Sequence, residues 1–168
     1  MTEGGNRKAA LVRRAAQVAA IAVAVLVLDI ASKWLVERTY RLGEGVTLIQ
    51  GFLYLVHVRN PGVAFGMLAD VAWKWRLPFF IAVGVAAGWL LWTVFRQAGH
   101  LKAGRVAMGL ILGGAVGNFI DRMRYGAVVD FIDVWAGKFH WPTFNVADSG
   151  ISVGTGLLIF ALWRARLL

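Results

Sequence analysis

Residues Leu77 to Phe95 form an uncharged run of 19 residues, and this constrains the chain more than any other feature. At 1.5 Å per residue a helix of that length spans about 28 Å, close to the ~30 Å hydrocarbon core of a bilayer. Inside lipid, every backbone amide and carbonyl must be satisfied within the segment, which leaves the helix as the only solution for an isolated run. Three further apolar runs, 15–36, 106–120 and 147–163, complete the expected set. The fold class is therefore a mainly α, polytopic membrane protein with four transmembrane helices. Composition agrees: 59% of the residues are hydrophobic and 16% charged, and the mean hydropathy is +0.65, outside the usual range of soluble domains.

The net charge of +9 does not point to nucleic acid, because the basic residues sit at the ends of apolar runs and form no basic face. Phospholipid headgroups and membrane topology explain them better. Cysteine is absent, which excludes disulfides, thiolate zinc sites and Cys nucleophiles. His57, His100 and His140 are scattered with no ligand spacing, so neither a metal nor a cofactor is expected.

Taken in order, Arg7, Lys8, Arg13 and Arg14 precede the first span. No small-residue cleavage site follows it, which argues against a removable signal peptide. Residues 37–76 are the first of two long loops. Within it, VTLIQGFLYLVHV alternates bulky residues and predicts a short sheet outside the membrane. Pro61 and Gly62 make a turn, and Val63 to Trp75 reads as a segment lying at the interface. Pro78 is placed in the first turn of the second span, where a missing amide costs little. Gly109, Gly113 and Gly117 recur every four residues, so one face of the third span admits a close neighbour, and Gly150 and Gly154 repeat the device in the fourth. The short basic segments around Arg7–Arg14, Arg96–Arg105 and Arg164–Arg166 predict cytoplasmic termini, with the loops 37–76 and 121–146 on the outer side. No repeat or second domain interrupts residues 1–168.

Chemistry concentrates between 117 and 148. Asp130 lies in a loop among Val128, Val129, Phe131 and Ile132, and Asp148 stands where the fourth span begins. Taken singly each has a plain explanation: a solvated loop acid, and a helix-start residue satisfying free amides. Taken together, two close carboxylates resist double ionisation and share a proton. One then serves as base to a water while its protonated partner polarises a carbonyl, with no metal or covalent intermediate. Apolar neighbours favour the protonated form of Asp130, and the helix start favours the ionised form of Asp148. Asp29 and Lys33 share a helix face and can neutralise each other. Asn118 and Arg122 repeat that spacing with Asp121 between them. Arg122 also fits an interfacial anchor, and Asn60 and Asn145 fit turn and cap positions.

The blocks LDIASK, RNPGVAF, GNFIDR, VVDF and FNVADS, in this order between four apolar spans, resemble the lipoprotein signal peptidases, or signal peptidase II family. The resemblance covers about residues 28 to 150. It implies an aspartic endopeptidase of the bacterial inner membrane that removes signal peptides from diacylglyceryl-modified prolipoproteins, cutting before the lipidated Cys. It further implies Asp130 and Asp148 as the catalytic pair, with Asp29, Asn60, Gly62, Asn118, Asp121, Arg122, Asn145 and Ala147 in support. A small extracytoplasmic sheet, an interfacial helix and sensitivity to globomycin-type inhibitors are implied as well. Two positions depart from the pattern: Pro61 stands where the family often has Thr, and Ile30 where it often has Gln. A different class, a small ion or proton transporter subunit using Asp29, Asp130 and Asp148, predicts polar residues through several spans, yet the second span is wholly apolar. A scaffold packing through its glycine rows leaves the paired acids unexplained.

Overall fold

The computed structural model describes residues 3–62 and 70–167. Among these, four helices are long and apolar enough to cross a membrane. They are α1 (Glu3–Thr39), α2 (Trp73–Ala98), α3 (Lys102–Tyr125) and α4 (Val146–Arg164), and four strands accompany them: β1 (Gly45–Ile49), β2 (Leu53–Asn60), β3 (Val128–Ala136) and β4 (Phe139–Phe144). The strands form one antiparallel sheet in the order β1-β2-β3-β4.

The helices outrun the apolar segments that announce them, because the charged and aromatic residues at each end continue the same hydrogen-bonded spiral. In α1 the basic stretch from Arg7 to Arg14 belongs to the helix. In α2 the residues Trp73 to Arg76 wind on before the uncharged run, so Pro78 lies inside the helix and not in its first turn. Of the expected interfacial segment Val63–Trp75, residues 63–69 lie outside the described residues, and Trp73–Trp75 open α2.

Close packing follows the glycines. Side chains built at Gly109 and Gly113 of α3 would meet α1 at Ile21 and Val25, and at Gly117 the Asp29 carboxylate. From α4, Gly150 and Gly154 lie against the α3 carbonyls of Leu110 and Ala107, and Gly114 of α3 faces the Ala147 carbonyl in return. Where lipid surrounds a bundle there is little hydrophobic drive between helices, so this backbone proximity is what holds α1, α3 and α4 together. By contrast, Gly84 and Gly88 of α2 have nothing within 4 Å, and α2 is the loosest member of the bundle.

Within the expected outer loop 121–146, residues 128–144 form a β-hairpin. Its strands are rich in β-branched and aromatic residues, and Gly137 takes the positive φ of +63° that its turn requires. Pro142 falls where the β3–β4 register slips between Ile132 and Val134. As an edge strand with a bulge, β4 tolerates a residue without an amide donor. Gly126, at φ 65°, ends α3 with its N–H on the Arg122 carbonyl and turns the chain into β3. Asn145 joins β4 to α4. The sheet is thus joined through Gly126 and Asn145 to the end of the bundle where α1 and α3 finish and α4 begins.

Candidate active site

Three buried acids and a buried lysine lie where those helices meet. Lys33 of α1 reaches Asp29 one turn earlier at 2.7 Å and Asp121 of α3 at 2.9 Å, and donates to Asn118 Oδ1 at 3.2 Å. Each carboxylate has a second task. Asp29, 0% exposed, accepts the Ala147 amide at 2.9 Å, supplying a partner to one of the free N–H groups that begin α4. Asp121 accepts the Val129 amide at 3.2 Å and so fixes the start of β3. Removing the ions from water is costly, and only this dense pairing offsets it.

Asn118 carries the network onward. With its Oδ1 occupied by Lys33 and by the Asn145 amide at 3.1 Å, its NH2 group faces Asp148 Oδ1 at 2.7 Å. Asp148 is the third residue of α4 and not its cap. The cap is Asn145, whose Oδ1 accepts the Asp148 amide at 2.9 Å while Asp148 Oδ2 accepts the Asn145 amide at 3.3 Å, a reciprocal capping box. The fully buried Asn145 also donates to Asp130 Oδ1 at 2.7 Å and to the Val129 carbonyl at 3.2 Å.

Asp130 sits in β3 opposite Val58. Asn60, paired with Val128 in the same ladder, is therefore its diagonal neighbour on one face of the sheet, and donates to Asp130 Oδ2 at 3.1 Å. The Asn60 Oδ1 in turn accepts the Gly62 amide at 3.0 Å. Arg122 closes the ring with hydrogen bonds to the carbonyls of Asn118 and Gly62, at 3.1 and 3.5 Å. Its guanidinium lies 4.3 Å from the centre of the Phe80 ring on α2, a cation–π contact.

All eleven residues singled out in the sequence, namely Asp29, Lys33, Asn60, Gly62, Asn118, Asp121, Arg122, Asp130, Asn145, Ala147 and Asp148, thus belong to one hydrogen-bonded network. Four carboxylates in it face two cations, Lys33 and Arg122. With every group ionised the cluster would hold net negative charge in a poorly solvated place, a setting that favours one extra proton. Asp130 responds most. Burial, with 3% of the residue exposed, and then repulsion from Asp148 push its carboxyl from 3.8 up to about 7, although Asn60, Asn145 and Lys33 all favour its ionised form.

Some contributors carry no sequence signal of their own. Glu37 at the end of α1 accepts from Arg59 at 3.4 Å and from the Tyr125 hydroxyl at 3.3 Å, with the Arg59 guanidinium 4.5 Å from the Tyr125 ring centre. This pins β2, one residue before Asn60, to α1 and α3. For the hairpin a signal does exist that the loop reading passes over: VVDFIDVW and FHWPTF flanking Gly137–Lys138 carry the residue types of paired strands.

Membrane-length helices gathered around a buried network of acids, amides and cations define a multi-pass membrane protein with an enzyme-like site at one end of its bundle. A family model described as signal peptidase (SPase) II matches residues 21–164. The chain is 47% identical to the lipoprotein signal peptidase of Syntrophotalea carbinolica over 86% of its own length and 89% of that protein. It is 46% identical to the lipoprotein signal peptidase of Geobacter sulfurreducens over 86% and 90%. A solved bacterial membrane enzyme superimposes with a TM-score of 0.78 at 34% identity, covering 89% of this chain and 88% of that one. The chain belongs to the signal peptidase II family.

Proposed function

We propose that the protein is a membrane aspartic endopeptidase that removes signal peptides from diacylglyceryl-modified prolipoproteins by cutting before the lipidated Cys. The observation that carries this reading is the link that Asn145 and Asn118 make between Asp148 and Asp130, a buried carboxyl raised to about 7. The pair shares one proton. The ionised member takes a proton from water, the water oxygen bonds to the scissile carbonyl carbon, and the protonated member donates to the carbonyl oxygen. As the tetrahedral intermediate collapses, the C–N bond breaks, the departing nitrogen takes a proton from the protonated member, and a hydroxyl of the intermediate returns its proton to the ionised one as the C=O re-forms. Asn60, Asn118 and Asn145 aim the two carboxylates, while Asp29, Lys33, Asp121 and Ala147 fix α1, α3 and α4 around them. Gly62 and Arg122 hold the turn beside Asn60.

In this reading residues 1–168 act as one integral unit of the bacterial inner membrane, with cytoplasmic termini and the site at the outer face. Phospholipid surrounds the helices and the substrate's acyl chains stay in the bilayer. The fully partnered state of Asp29, Lys33 and Asp121 at one end of the bundle supports a fixed catalytic scaffold over an ion path.

The test is a gel-shift assay of the purified full chain on a lipidated prolipoprotein. Asp130→Asn and Asp148→Asn should each lower turnover by at least about 100-fold, the low end of what a positioned acid or base supplies. The unlipidated precursor should resist cleavage, and globomycin should block the wild type. Near wild-type turnover in either Asn variant would sink the proposed pair.

A further inference from the structure

Asn60 is held differently from the amides that reach Asp130 and Asp148 from the bundle. Asn145 is fully buried and Asn118 sits within α3, but Asn60 is the last residue of β2, where the ladder stops. Its NH2 group faces Asp130 only because its Oδ1 is taken by the Gly62 amide, a local turn closed by the side chain. That turn is gripped from outside by two cations. Arg122 of α3 donates to the Gly62 carbonyl at 3.5 Å, and Arg76 of α2 donates through a terminal guanidinium nitrogen to the Pro61 carbonyl.

Pro61 has no N–H, so its carbonyl is the one backbone polar group by which that residue can be held. Its ring fixes φ, so a pull on the carbonyl moves the turn as a unit. Arg76 is itself steadied: its guanidinium lies 5.7 Å from the ring centre of Trp73 on the preceding turn of the helix. Pro61 offers neither an N–H nor a side-chain hydroxyl through which to be held, which places more weight on the grip from α2.

We infer that Arg76 is a positioning residue of the proposed peptidase, holding the Pro61 carbonyl so that the Asn60–Gly62 turn keeps the Asn60 amide aimed at Asp130. The inference rests on the reading of Asp130 and Asp148 as the reacting pair. A plain interfacial arginine, covering apolar surface while its head meets the headgroups, is the competing role. Lys74, on the same turn of α2 and 5.9 Å from the Trp75 ring centre, serves as the control for that role, having the same charge without the grip on Pro61.

The experiment compares kcat and KM of the purified full chain on a lipidated prolipoprotein for the wild type, Arg76→Ala, Arg76→Lys, Asn60→Ala, the Arg76→Ala/Asn60→Ala double variant, Lys74→Ala and Asp130→Asn. Loss of one aimed hydrogen bond to the reacting pair should lower kcat about tenfold in Arg76→Ala, equivalent to about 1.4 kcal/mol, with KM within about twofold. Arg76→Lys, whose ammonium can still donate to a carbonyl, should recover most of that loss, and Lys74→Ala should match the wild type. Since Arg76 acts through Asn60, the double variant should be no slower than Asn60→Ala alone.

Asp130 is faced by Asp148 from α4, Lys33 from α1 and Arg122 from α3, all unchanged in the Arg76 and Asn60 variants. Losing the Asn60 donation should therefore move the alkaline limb of kcat to higher pH in both single variants. A rise in KM with kcat unchanged, an equal loss in Lys74→Ala, or a double variant slowed by the product of the two single effects would overturn the positioning role. Should Arg76→Ala melt far below the wild type, Arg76→Lys and its pH limb decide the question. An active Asp130→Asn removes the pair and this inference together, whereas an inactive Asp130→Asn beside a fully active Arg76→Ala removes the inference alone.

Discussion

Replacing Asp130 with Asn should flatten the pH dependence of the protein's stability. The carboxyl is raised from 3.8 to about 7 in the folded protein, first by burial and then by Asp148. A group raised on folding favours the native state when protonated. Its contribution is complete below the unfolded value near 3.8 and is lost as pH climbs through about 7. Between pH 5 and pH 8 the loss works out at about 3 kcal/mol, from 1.36 kcal/mol per unit of pKa difference. Asp130 is 3% exposed, so solvent screening removes little of it. For a chain of this size that corresponds to roughly 6–12 °C in melting temperature. The assay is thermal unfolding in detergent micelles, followed by the fluorescence of the eight tryptophans, at pH 5 and pH 8. The wild type should lose that much more than Asp130→Asn across the interval. Parallel curves for the two proteins, or a wild type that gains stability on Asp130→Asn toward pH 8, would refute the argument that burial and the second acid raise this carboxyl.

Lys33→Met should destabilise by about 3–5 kcal/mol, because it strands the buried Asp29 and Asp121 carboxylates without their shared cation. A chemical or thermal denaturation series within 1 kcal/mol of wild type would contradict it. Gly114→Ala should cost about 1–3 kcal/mol, since the new methyl meets the Ala147 carbonyl and lies 2.9 Å from Ile151 Cγ1. Gly84→Ala, with open space around it, should be neutral or stabilising by up to about 1 kcal/mol. Equal melting shifts in these two glycine variants would refute the packing account of α3 against α4.

Residue by residue, the sequence was most legible where the solvent imposes the rule. Lipid leaves a 19-residue uncharged run such as Leu77–Phe95 no conformation but helix, so the four helices follow from hydropathy alone, and the spacing of Gly109, Gly113 and Gly117 already marks the face that α1 contacts. Helix ends were less legible, because Trp73–Arg76 can end a loop or begin a helix and only neighbouring structure chooses. The segment of β3 and β4 has the character of a loop in sequence for a related reason. Val128–Ala136 gains strand structure only once β2 offers a ladder, and that pairing joins residues about 70 positions apart.

What the sequence alone determined was membership of a membrane-spanning class and the list of polar residues too costly to keep in apolar surroundings without a purpose. It could name Asp29, Lys33, Asn118, Asp121, Arg122, Asn145 and Asp148 because a charge or amide near lipid is conspicuous. The tertiary structure decided how they are used. Only the meeting of three helix ends with one end of the sheet makes Lys33 a bridge between two acids, turns Asn118 so that its NH2 faces Asp148, and buries Asp130 deeply enough to hold a proton near neutral pH. Desolvation and hydrogen-bond direction depend on what surrounds a group in space, and neither is written in the order of the residues.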